Sequence, residues 1–100
     1  EIIIVNDIQC TFICNTINKD KNHDTIAERE LEKLMTNNNS KFDSIGKVEQ
    51  NKLLAKLNIY RQYYELLDVA FIGNKINDEI IKVSGLIYNR IDSSFEKLEL

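Results

Sequence analysis

Apolar residues recur through the middle of the chain at Leu53, Leu57, Tyr60, Tyr64, Leu67 and Phe71. Their spacings alternate four and three, which places all six in one narrow stripe of an α-helix. A second stripe of Ile59, Tyr63, Leu66 and Ala70 flanks the first, and the opposite face carries Asn58, Arg61, Gln62, Glu65 and Asp68. With Asp43 or Ser44 as cap, this pattern predicts a long helix over residues 44–72, roughly 40 Å from end to end at 1.5 Å per residue. Gly73-Asn74 reads as a helix stop. A further stripe of Ile76, Ile80, Val83, Ile87, Ile91, Phe95 and Leu98 predicts a return helix over 77–99. So short a turn permits only antiparallel neighbours, which brings Leu67 near Ile80, Tyr60 near Ile87 and Leu53 near Phe95. The heptad slips near Ile91, which favours globular packing over a long supercoil. Apolar over about half its girth, the long helix must touch two or more neighbours.

Thr25 followed by Glu28 fits a capping box and predicts a helix over 25–36, with Ala27, Leu31, Leu34 and Met35 on its buried side. Residues 18–24 form a polar linker. In residues 2–17, Ile8, Cys10, Phe12 and Cys14 alternate with Gln9, Thr11, Ile13 and Asn15, and β-branched side chains are dense. That pattern suits a short β element turning at Asn6-Asp7, or a fourth, buried helix. The expected fold is mainly α. It is a single domain of residues 1–100, an antiparallel long-helix hairpin with a third helix packed across it.

A chain of 100 residues suits one modest core. The net charge of -3 argues against a generally cationic nucleic-acid binder, and no stretch approaches the roughly 20 apolar residues of a membrane span. Twelve Asn, fifteen Ile, ten Lys against three Arg, and no Pro or Trp point to an AT-rich genome. The start at Glu1 reads as a processed protein or an excised fragment. Cys10 and Cys14 are poorly placed to bridge each other, and two unpaired thiols tilt the expectation toward the cytoplasm.

Chemistry-bearing motifs are scarce. There is no glycine-rich phosphate loop, no serine–histidine–acid arrangement around the single His23, and no paired Glu-x-x-His. Cys10, Cys14 and His23 match no standard zinc spacing. They read as two small buried hydrophobes and a solvated imidazole, so no metal or cofactor is expected. The leading functional expectation is a non-enzymatic, self-associating protein–protein interaction module. Its surface would be Tyr63, Leu66 and Ala70 together with Ile3, Phe12 and Ile13, because three packed elements leave apolar surface uncovered. A second reading is a regulatory protein that binds nucleic acid or an acidic partner through Lys47, Lys52, Lys56 and Arg61. The return of Asp92, Glu96 and Glu99 alongside those cations gives a simpler, intramolecular account of the charge. A small helical enzyme without a recognisable motif is the third reading.

Overall fold

The computed structural model describes residues 1–19 and 25–100. His23 and most of the 18–24 linker therefore lie outside the described residues. The elements run β1 (Ile2–Asp7), α1 (Thr11–Ile17), α2 (Ile26–Asn37), α3 (Asn39–Asp43), α4 (Lys47–Asp68), α5 (Ala70–Asn77), β2 (Val83–Asn89) and β3 (Ser94–Glu99).

The mainly α hairpin is overturned by a three-stranded mixed sheet of order β1-β2-β3. β1 lies parallel to β2, from Ile2 opposite Val83 to Asp7 opposite Tyr88. β2 and β3 form an antiparallel hairpin, from Ser84 opposite Glu99 to Asn89 opposite Ser94. The predicted return helix is thus two strands. Val83, Ile87 and Tyr88 are β-branched or aromatic and prefer a pleated surface. The hairpin turn is fixed by two side-chain oxygen caps: the Asn89 amide Oδ1 accepts the Ile91 N–H and the Asp92 carboxylate Oδ1 the Ser94 N–H, each at 3.0 Å. Ser93 takes the left-handed conformation there, with φ 56°.

The first 17 residues divide between a strand and a helix. Ile2–Val5 pairs with β2, and the chain turns through Ile8–Cys10 into α1, whose Ile13 and Ile17 are buried. Asn6 and Asp7, expected to turn a hairpin, instead continue β1; the turn falls after them and leads to a helix rather than to a second strand. In α2, the Thr25 hydroxyl accepts the Glu28 N–H at 3.1 Å and donates to the Glu28 carboxylate at 2.9 Å.

α4 ends at Asp68, where Val69 is extended (φ -79°, ψ 105°) and starts α5. Gly73 lies inside α5 and does not end a helix. Its role is close approach: a Cβ there would stand 2.1 Å from the Leu67 carbonyl oxygen. Nor is the buried stripe of α4 the expected one. Leu54, Ala55, Asn58 and Ile59 are buried, whereas Tyr64 is 61% and Phe71 73% exposed. α4 lies across β1 and β2 and presses Ile59 onto the sheet. Gly85 makes room for it, since a Cβ at that position would lie 2.8 Å from Ile59 Cγ2 and 3.2 Å from Leu98 Cβ. The core gathers Ile4, Ile8, Ile13, Ile17, Leu31, Phe42, Leu54, Ala55, Ile59, Val83, Ile87 and Leu98. No helix among the described residues is long and apolar enough to cross a membrane.

Candidate functional site at the carboxyl ends of the parallel strands

In open α/β sheets, ligands are handled beyond the carboxyl ends of the parallel strands. Here those ends are Asp7 and Asn89. Asp7 closes β1 and starts the turn into α1: its Oδ1 accepts the Gln9 N–H at 2.7 Å, and its backbone carbonyl accepts the Cys10 N–H at 3.0 Å. The outer carboxylate oxygen, Oδ2, is gripped by Arg90, whose Nε donates at 3.0 Å and whose Nη2 donates as well. Arg90 arrives there because β2 runs parallel to β1 and ends one residue earlier, at Asn89. Partial burial pushes the Asp7 carboxyl upward. The Arg90 hydrogen bond, the Gln9 N–H and the Arg90 charge outweigh it and hold the group below its usual range. The site therefore presents a fixed carboxylate paired with a guanidinium.

Two asparagines of α4, two helical turns apart, fix this end of β1 from the core side. Asn51 Nδ2 donates to the Ile8 carbonyl at 3.1 Å and to Cys14 Sγ at 3.8 Å. Asn58 Nδ2 donates to Asn6 Oδ1 at 2.7 Å, with both residues buried. Asn58 Oδ1 in turn accepts from Arg61 Nε and Nη2 at 3.1 and 2.9 Å, and Arg61 Nη1 meets Glu65 Oε1 at 2.7 Å. On the other face of the sheet, the rings of Tyr88 and Phe95 stand 4.7 Å apart beside Asp7. Among the described residues, no three His, Cys, Asp or Glu side chains gather in metal-binding geometry.

The residues expected to form an interaction surface do not share one face. Tyr63 and Leu66 pack against the core and Ile13 lies within it. Ala70 is exposed at the start of α5, Phe12 is exposed on α1, and Ile3 points away from α4. The expected basic patch is largely spoken for. Lys52 Nζ meets Glu96 Oε2 at 2.6 Å, so that its ammonium is held above its usual range, first by that hydrogen bond. Lys47 donates to Asn18 at 2.8 Å, and Arg61 belongs to the asparagine chain. Lys56 is exposed on α4. Sequence reasoning missed Asp7 and Arg90. The available signal was the end of a β-branched run at Asp7 and the turn-forming stretch Asn89–Ser94, which suits no helix interior.

No protein-family model and no curated protein matches the chain. Solved structures do. The β-carbonic anhydrase CafD of the filamentous fungus Aspergillus fumigatus superposes with a TM-score of 0.79 at 17% identity, over 96% of this chain. A single-residue variant of the same enzyme gives 0.81 at 16% identity, over 98% of this chain. The chain spans 55% and 56% of the length of those two chains. The likeness establishes the fold as that of the β-carbonic anhydrases. It also removes the basis for a non-enzymatic interaction module: the helical hairpin behind that expectation is absent, and the solved structures the chain resembles are of an enzyme.

Proposed function

We propose that this chain is part of a carbonic-anhydrase-like enzyme and that its chemistry lies at the carboxyl ends of β1 and β2. The observation that carries this reading is the fold likeness over 96–98% of the chain. The placement of Asp7 and Arg90 agrees with it. The proposed substrate class is carbon dioxide and bicarbonate. Arg90 gives Nε and Nη2 to Asp7, and its permanent charge and remaining Nη1 are what it offers to a carboxylate-like anion. Asp7, kept ionised, accepts a hydrogen bond from the hydroxyl of a bicarbonate or from water.

Carbonic anhydrases can rely on a metal-bound water, which needs three protein ligands and an open position. The described residues do not fit such a centre. Asp7 and Cys10 share one turn, but Arg90 occupies Asp7 Oδ2, and no third donor joins them.

Stopped-flow measurement of carbon dioxide hydration, with and without added zinc, tests the reading. Hydration above the buffer rate is expected, falling on the order of a hundredfold in Asp7→Asn and also in Arg90→Gln. A protein that hydrates carbon dioxide no faster than buffer under both conditions overturns it.

A further inference from the structure

We propose that the cavity between α1, α2, α3 and the start of α4 binds a free basic amino acid, a dipolar ion with a second cation at the end of an aliphatic stem. The cavity measures about 840 Å³, within the range of small-molecule sites. It shares no lining residue with the turn at Asp7, so the inference does not rest on the reading above.

The inner end of the cavity is apolar with two polar exceptions. Ile17 and Phe42 are buried there and Met35 is half-buried. Gln50 fixes this floor by donating to the Phe42 and Ile45 carbonyls at 2.8 and 3.3 Å. The first exception is Glu28, a carboxylate only 6% exposed, carried inward by the capping box. A buried carboxylate is costly unless donors surround it. The Thr25 hydroxyl supplies one, and a carboxylate has room for about three more. An ammonium is the matching donor. The second exception is Asn15 of α1, which lines the same wall. Its Nδ2 is buried without a hydrogen-bond acceptor among the described residues. A buried donor left unpaired is a standing cost. The amide turns easily about its last torsion, and a carboxylate entering the cavity gives it an acceptor.

The mouth carries both signs of charge. Glu32 lies one turn beyond Glu28 on the α2 face turned to the cavity, about 6 Å along the axis. Asp43 enters from α3, and Lys19 and Lys47 stand at the rim. Lys47 Nζ donates to Asn18 Oδ1 at 2.8 Å. Three carboxylates against two ammoniums leave the lining slightly negative, which suits a ligand of net charge +1. A diamine leaves Asn15 without an acceptor, and an anion meets Glu28 with nothing to donate. A basic amino acid satisfies both groups. Its α-ammonium meets Glu28, its carboxylate meets the Asn15 amide, and its methylenes lie along Met35. The terminal cation then reaches Glu32 or Asp43 at the mouth.

Calorimetric titration with L-lysine tests this, read beside the methyl resonance of Met35, the single methionine of the chain. Saturable binding with a shifted Met35 signal is expected. L-norleucine lacks the terminal cation and 1,5-diaminopentane lacks the carboxylate, so each should bind about tenfold or more weakly. Glu28→Gln keeps the capping box, in which Gln also serves, and should weaken lysine by about tenfold or more. Asn15→Ala should weaken lysine while leaving 1,5-diaminopentane unchanged. No heat and no Met35 shift at lysine concentrations up to about 10 mM overturns the proposal. So does lysine binding that leaves Met35 unmoved or survives Glu28→Gln undiminished, and so does 1,5-diaminopentane binding as tightly as lysine. None of these readouts involves carbon dioxide hydration, so this proposal and the assigned function fail separately.

Discussion

Replacing Asn58 with Ala cuts the hydrogen-bonded chain that ties α4 to the end of β1. Asn58 Nδ2 donates to Asn6 Oδ1 at 2.7 Å, and the Asn58 carbonyl accepts twice from Arg61. Truncation leaves the Asn6 carbonyl buried without that donor, which costs about 1–3 kcal/mol. Arg61 loses two acceptors, but it retains Glu65 and partial access to water, so its share is small. A total of about 2–3 kcal/mol lowers the urea midpoint by about 1–2 M at the slope usual for small domains. Urea unfolding followed by far-ultraviolet circular dichroism reads this directly. Asn6→Ala and the double variant complete a cycle, in which a coupling of about 1 kcal/mol is expected. Replacing both asparagines with Leu removes donor and acceptor together and should recover much of the loss. A midpoint shift below about 0.3 M, or strict additivity in the cycle, would refute the claim that this contact anchors β1.

Three further outcomes follow from the geometry. Gly73→Ala is expected to destabilise by about 2–4 kcal/mol in thermal unfolding, because the new Cβ meets a backbone carbonyl that cannot withdraw; a gain in stability, as helix propensity alone would give, contradicts this. Gly85→Ala should cost about 1–3 kcal/mol by pushing Ile59 off the sheet, and unchanged stability would mean that α4 does not seat there. Asp7 is held below its ordinary range in the folded protein, so its contribution is present above about pH 4 and is lost as the pH falls through the lowered value. Arg90→Gln should therefore lower stability above about pH 4 and weaken its acid dependence, the two proteins converging once Asp7 is protonated. An acid limb identical in both proteins would argue against the ion pair.

The sequence misled on the return segment for a definable reason. Val83, Ile87, Ile91 and Phe95 are four apart, and an even spacing keeps residues on one face of a strand as well as near one face of a helix. Only the intervals of three favour a helix, and these fall outside that run. The β-branched Val83 and Ile87 and the aromatic Tyr88 favour a strand, and they lie in the observed β2. The N-terminal ambiguity had a similar origin: the alternation through Ile8–Cys14 straddles a strand end and a helix start, so neither period governs it.

The α4 face and the site share a deeper reason for escaping notice. A count of apolar positions assigns Asn58 to solvent, yet it is buried because β1 presents Asn6 at the same depth. Polarity decides burial only when no partner is available, and a partner 52 residues away leaves no local trace. The pairing of Asp7 with Arg90 is of the same kind: their proximity follows from the parallel register of β1 and β2, which the helical reading of 77–99 excluded. Once residues 83–89 are a strand, the carboxyl ends of β1 and β2 coincide, and the charged pair and the asparagine anchors converge on the same turn.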